Sequence, residues 1–123
     1  MVKSLAQNSI LIRLKNGEVL VFDGAIGTYL QNHGLEPGAC PELMNDENPS
    51  IVERMASTYF ESGSDIVLTN TFGCNKFRLK HYRLDNQVIK LNEKGASLAK
   101  KHAPSNCYVA GSIGPTGEFI QPV

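Results

Sequence analysis

A chain of 123 residues with 41% hydrophobic and 20% charged side chains has the composition of one globular domain and is too short for two ordinary ones. Twelve Lys and Arg offset twelve Asp and Glu, which leaves no charge excess for a polyanion such as nucleic acid or for a disordered chain. Apolar runs last only a few residues and Met1-Val2-Lys3-Ser4 opens no hydrophobic signal region, so neither membrane insertion nor secretion is expected and the default address is cytoplasmic. Cys40, Cys74 and Cys107 are odd in number and far apart, which encodes neither a disulfide framework nor a C-x-x-C zinc knuckle; reduced, mostly buried thiols are expected.

From Ser4 to Lys15, Leu5, Ile10, Leu11 and Ile12 fit a short amphipathic helix that Asn16-Gly17 would stop. The alternative is a β-hairpin, because Ile10-Leu11-Ile12 and Val19-Leu20-Val21 flank that Asn-Gly pair. Residues 1–18 are taken as a helical lead-in and 19–123 as the main unit. Val19 to Phe22 is an apolar run suited to a strand buried in a parallel sheet, and Asp23 stands where that strand should end. Gly24, Ala25, Gly27 and Thr28 follow, so the backbone can turn tightly and approach a ligand. There Asp23 can accept hydrogen bonds from an ammonium or hydroxyl group, and the N–H groups of Gly24 to Thr28 can take up a carboxylate. An ordinary glycine turn is the plainer alternative.

Tyr29 to His33 predicts a helical turn ended by Gly34, and the following loop with Pro37, Gly38, Pro41 and Asn45 is long enough to be functional or mobile rather than a connector. Asn48 as N-cap and Pro49 at the first position open the clearest helix, with Ile51, Val52, Met55, Ala56, Tyr59 and Phe60 on one face and Gly63 at its close. Asp65 to Leu68 is a second buried strand ending in Thr69-Asn70-Thr71-Phe72-Gly73. A short helix is expected at Asn75 to His81, and a longer one from Asp85 to His102 with Val88, Leu91, Leu98 and Ala99 inward. Cys107 to Ala110 is a third strand, followed by Gly111-Ser112-Ile113-Gly114-Pro115-Thr116-Gly117.

The strands recur about every 45 residues with helices between, which predicts right-handed crossovers and adjacent parallel strands at 19–22, 66–68 and 107–110, with helices 49–62 and 85–102 on one face. A doubly wound sheet is possible, but three strands that each end in polar or glycine-rich sequence favour a barrel, whose strands gather their carboxyl ends at one mouth. A complete barrel takes about 250 residues, so the expected architecture is α/β, the first three β/α units of an incomplete (β/α)8 TIM barrel. Val21, Val67 and Val109 are candidates for its interior face.

Asp23-Gly24-Ala25-Ile26-Gly27-Thr28, then Tyr59 to Phe72 (YFESGSDIVLTNTF), then Gly111 to Gly117 resemble, in order and spacing, the start of the homocysteine S-methyltransferase domain, most nearly the homocysteine-binding module of cobalamin-dependent methionine synthases. The resemblance runs from about Val19 to the last residue and implies methyl transfer to the homocysteine thiolate, giving methionine. It also implies a zinc ion held by three cysteine thiolates on later strands, which keeps the homocysteine sulfur deprotonated. Cys40, Cys74 and Cys107 match none of those ligands, so no catalytic or metal-binding residue is assigned here. Carried over as substrate-binding are Asp23 near the homocysteine amino group, Gly24, Ala25, Gly27 and Thr28 at the amino-acid end, and Thr69, Asn70 and Thr71 at the mouth. Thr71 and Asn70 have a plainer alternative as ties for the next loop. Ser112 is taken as substrate-binding too, at a position where close relatives can carry an acidic residue, and His33, His81 and His102 match no family position.

The implied methyl donor is open between cobalamin or folate systems, a betaine and a sulfonium, and the implied partners are the remainder of the barrel or downstream methyl-donor domains. The chain alone is expected to be inactive, to bind zinc poorly and to associate through its open sheet edges. The rival is a non-catalytic truncated fragment, or a module that binds an amino acid or a complementary half-barrel. A lyase or aldolase barrel is disfavoured, because no lysine falls at a strand's carboxyl end.

Overall fold

The computed structural model describes residues 9–121. Helix α1 (Ile10–Lys15) forms in place of the hairpin, and Gly17 takes the left-handed φ of +80° that stops it; Leu5 and the start of the expected helix lie outside the described residues. No α1 side chain is buried, so apolar packing does not hold this helix. Arg13 does. Its guanidinium donates to Glu18 Oε2 at 2.7 Å, to the Asn106 carbonyl at 2.9 Å and to Asp65 Oδ1 at 3.0 Å, and lies 5.7 Å from the Tyr108 ring centre.

The strand expected at 19–22 contracts to one parallel bridge, Phe22 to Ile66. Around it, the Val21 carbonyl accepts from the Asp65 and Ile66 amides at 2.8 and 3.1 Å, and the Asp23 amide donates to the Ile66 carbonyl at 2.9 Å. The expected burial is corrected as well: Val19, Val21 and Phe22 are 88%, 53% and 52% exposed. An apolar run is buried on both faces only when elements cover both, and among the described residues this segment has a strand neighbour on one side only.

Helix α2 (Ile26–Asn32) follows, and Gly34 at φ +103° closes it. The stretch after it is not irregular throughout. Pro41–Leu43 forms a 3₁₀ turn that leads into α3 (Met44–Glu47), and Cys40, Glu42, Met44 and Asn45 are all buried. Helix α4 (Pro49–Glu61) buries Val52, Met55, Ala56 and Phe60, the face its periodicity predicts, and Gly63 sits at φ +104° beyond its end. Strand β1 (Ile66–Leu68), α5 (Lys76–Lys80), α6 (Val88–Lys100) and β2 (Tyr108–Ala110) complete the order. Asn75 caps α5 by accepting from the Arg78 amide at 3.0 Å. Helix α6 starts three residues later than the sequence suggests, because residues 85–87 are spent on a turn closed by Gln87 N–H to the Leu84 carbonyl.

β1 and β2 are parallel, with Ile66 opposite Tyr108, Val67 opposite Val109 and Leu68 opposite Ala110. Both long helices cover one face of this pair: Ala56 and Phe60 of α4 and Ala99 of α6 form one cluster with Val67, and Val109 packs against it. This corrects the expectation for Val67 and Val109, which point at the helices and not into a barrel interior. The period-2 alternation of a strand then sends Ile66 and Leu68 to the other face. A second cluster joins Leu30, Leu35, Met44, Val52 and Met55 between α2, α3 and α4, and a third joins Cys40, Cys74, Leu79 and Leu91. Among the described residues no helix is long and apolar enough to cross a membrane.

Candidate functional site

At the carboxyl ends of the strands lies an open cleft of about 360 Å³, lined by Gly24, Ile26, Gly27, Pro41, Glu42, Leu68, Thr69, Asn70, Phe72 and Ser112. Five of the sequence-predicted residues, Gly24, Gly27, Thr69, Asn70 and Ser112, therefore meet in one place although they come from three separate segments of the chain. Ala25 and Thr28 lie beside it on exposed backbone at the start of α2.

Asp23 sits just behind this wall. Its Oδ2 accepts from the Leu68 amide at 2.9 Å, which ties the end of the 19–22 segment to the end of β1, while Oδ1 is sealed from solvent without a hydrogen-bond partner. Burial pushes its carboxyl above the ordinary range, against the opposing pull of the Leu68 and Asp23 N–H groups. Tyr59 of α4 closes the same corner by donating to the Ala25 carbonyl at 2.9 Å. A β-carbon on Gly24 would stand 3.2 Å from that hydroxyl, so a side chain there would press on Tyr59.

The Thr69 and Thr71 hydroxyls and the Ser112 backbone form a closed hydrogen-bond relay. The Ser112 amide donates to Thr69 Oγ1 at 3.0 Å, the two threonine hydroxyls are 2.6 Å apart, and Thr71 Oγ1 donates to the Ser112 carbonyl at 2.8 Å. A carbonyl can only accept, so Thr71 gives its proton to Ser112 and Thr69 gives its own to Thr71. Both threonine hydroxyls are thus spent on joining the loop after β1 to the loop after β2. Gly114 tightens the joint: its amide donates to the Phe72 carbonyl at 2.9 Å, and a β-carbon there would come within 2.4 Å of that oxygen.

Two buried polar residues here are absent from the sequence-based list. Glu42 accepts from the Gly73 amide at 2.7 Å and from the Cys40 thiol at 3.3 Å, and lines the cleft. Asn45, fully buried, bonds to Asn70 and to the Leu91 carbonyl. The close fit of Gly73 against Glu42 Oε1 and of Gly95 against Asn45 Nδ2 leaves a trace in the sequence, since both glycines have ordinary φ and so mark close approach instead of a special turn.

The cysteines do not fit a thiolate zinc centre. Burial pushes the Cys40 thiol up to about 11 and the Cys74 thiol up to about 12, with the Glu42 charge adding to both. Cys107 lies before β2, at the far end of the strands, with its thiol directed to the Ser64 carbonyl at 3.6 Å. Among the described residues no group of three His, Cys, Asp or Glu side chains could hold a metal ion.

Parallel strands under two helices, with a polar, glycine-lined cleft at their carboxyl ends, define an α/β unit of the kind whose ligands sit at that end. The family described as Homocysteine S-methyltransferase matches residues 20–122, and the chain belongs to that family. It is 37% identical over 119 residues to the methionine synthase of Mycobacterium tuberculosis, covering 85% of this chain and 10% of that protein. It is 38% identical over 111 residues to the methionine synthase of Mycobacterium leprae, covering 79% and 9%. The fold matches the homocysteine methyltransferase MmuM from Escherichia coli, with a TM-score of 0.72 and 25% identity to its metallated form over 87% of this chain and 42% of that one; its oxidized form gives 0.73 and 26%. The chain thus spans about a tenth of the methionine synthases and about two fifths of MmuM.

Proposed function

We propose that this chain is the substrate-holding part of a homocysteine S-methyltransferase, built as the first three β/α units of a TIM barrel, and that its cleft receives the amino-acid end of homocysteine. The observation that carries this is the convergence of Gly24, Gly27, Thr69, Asn70 and Ser112, drawn from three segments of the chain, on one cleft in a chain of that family. Asp23 supplies negative charge behind the wall and attracts an ammonium group, the Thr69–Thr71–Ser112 relay keeps the two later loops in register, and Phe72, 60% exposed, offers an apolar surface to a side chain. The thiolate chemistry belongs to zinc ligands that these residues do not provide, so the chain binds and orients without transferring methyl groups by itself. Its partner in catalysis is the remainder of the barrel together with a methyl-donor system of the cobalamin, folate, betaine or sulfonium type. The exposed Val19, Val21 and Phe22 at one flank and Ile113, Phe119 and Ile120 at the other are surfaces that such a partner would cover.

Titration calorimetry with L-homocysteine tests this. In the protein that carries this chain, Asp23→Asn is expected to weaken homocysteine binding by roughly 1–3 kcal/mol, the range for losing a charged partner. Unchanged affinity would make Asp23 a purely structural tie to Leu68.

A further inference from the structure

The buried Asn45 determines which atom of Asn70 the cleft presents. Both Nδ2 hydrogens of Asn45 go to backbone carbonyls, Asn70 at 2.8 Å and Leu91 at 3.1 Å. A carbonyl cannot donate, so the Asn45 amide has one possible orientation, with Oδ1 turned to Asn70. That oxygen accepts from Asn70 Nδ2 at 2.9 Å, and the other Nδ2 hydrogen of Asn70 goes to the Pro41 carbonyl at 2.8 Å. Flipping Asn70 would set its oxygen against two acceptors. Its carboxamide is therefore locked with both donors spent. Asn70 Oδ1 takes no hydrogen bond among the described residues, and unlike Asp23 Oδ1 it is not sealed from solvent. Asn70 lines the cleft, and the oxygen is the one polar atom of its carboxamide left to offer there.

We propose that Asn45 is a positioning residue that fixes Asn70 Oδ1 toward the cleft, so that this carboxamide takes a primary ammonium group and not a carboxylate. The inference rests on the reading of the cleft as an amino-acid site and says which end of the amino acid lies at Asn70. Asn45 itself touches no ligand; together with the Pro41 carbonyl it denies Asn70 the flip that would turn its NH₂ outward.

Binding of three probes to the full chain tests it: L-homocysteine, its des-amino analogue 4-sulfanylbutanoate, and L-homoserine. The unsubstituted chain is expected to favour L-homocysteine over the des-amino acid by about tenfold or more, as a charge-assisted hydrogen bond allows. Asn45→Ala should lower that ratio by about threefold or more, leaving the part that Asp23 supplies, while the affinity for the des-amino acid stays within about twofold. Parallel weakening of both ligands would reduce Asn45 to a packing residue and overturn the proposal. So would a chain that binds homocysteine with no preference over the des-amino acid, which leaves the homocysteine reading standing. Homoserine bound in an ammonium-dependent way, with homocysteine not bound, would support the role of Asn45 and overturn that reading; binding of none overturns both. Should Asn45→Ala fail to fold, hydrogen exchange of the Asn70 carboxamide in the unsubstituted chain decides. Both protons are expected to be slow with and without L-homocysteine, whereas a fast proton that slows on binding would mean the ligand takes the donor, and the proposal falls.

Discussion

Two stretches of this chain carry the same pattern, an apolar run followed by a polar or glycine-rich turn, and they fare differently. Ile66 and Val67 are almost completely buried and pair with β2, whereas Val19, Val21 and Phe22 remain largely exposed and keep one bridge. Composition does not separate them, since both runs are β-branched and aliphatic in the main. Their neighbours do. β1 has strand partners on both sides and two helices over Val67, and the 19–22 segment has β1 alone. Apolar sequence states what a segment can bury, and the elements around it decide how much of that is realised.

The contrast can be broken by substitution. Ile66→Ala should cost about 2–5 kcal/mol in chemical unfolding, the usual range for a buried aliphatic truncation; a loss below about 1 kcal/mol would place β1 with its exposed counterpart. Gly95→Ala should cost about 1–3 kcal/mol despite the better helix propensity of alanine, because the new methyl would lie 2.7 Å from Thr71 Cγ2 and 2.8 Å from Asn45 Nδ2. Stabilisation by that substitution would show that the packing behind the cleft is looser than these distances.

A smaller effect is expected from alkali. Cys40 and Cys74 have folded-state values near 11 and 12 against an ordinary 9.0, so both states hold their protons below pH 9 and stability is full there. Above pH 9 the unfolded chain loses its protons first, and stability falls until the folded thiols ionise as well. Unfolding curves from pH 8 to 11 should show this decline, and replacing both cysteines by alanine should flatten it. Smallest of all, Val19→Ser should change stability by no more than about 0.5 kcal/mol, as befits a side chain 88% exposed; a loss above about 1 kcal/mol would mean the segment is covered.

What was legible in the sequence is local. Asn48-Pro49 and Gly63 mark α4 because capping and a left-handed stop depend on a few adjacent residues, and the apolar face between them follows from helical geometry alone. The 66–68 and 108–110 strands were legible for the same reason, as was the cluster of polar residues at their ends. Asn45 was not. Its burial depends on Asn70 and Leu91, 25 and 46 positions away, and an Asn among prolines and glycines reads as loop. Glu42 was missed likewise, since a carboxylate is expected outside unless its partner, here the Gly73 amide, is known. The 19–22 strand was over-read, because its pattern reports a capacity for burial and carries no record of its neighbours.

Arg13 gives the molecule a division of labour along the strand axis. One guanidinium gathers α1's return at Glu18, the entry to β1 at Asp65 and the entry to β2 at Asn106, all at the amino ends of the strands, while every residue of the cleft lies at the carboxyl ends. Fastening and cleft are thus lodged at opposite poles. The amino pole tolerates substitution as long as some fastening survives, and the lining of the carboxyl pole can change without loosening the clasp beneath it.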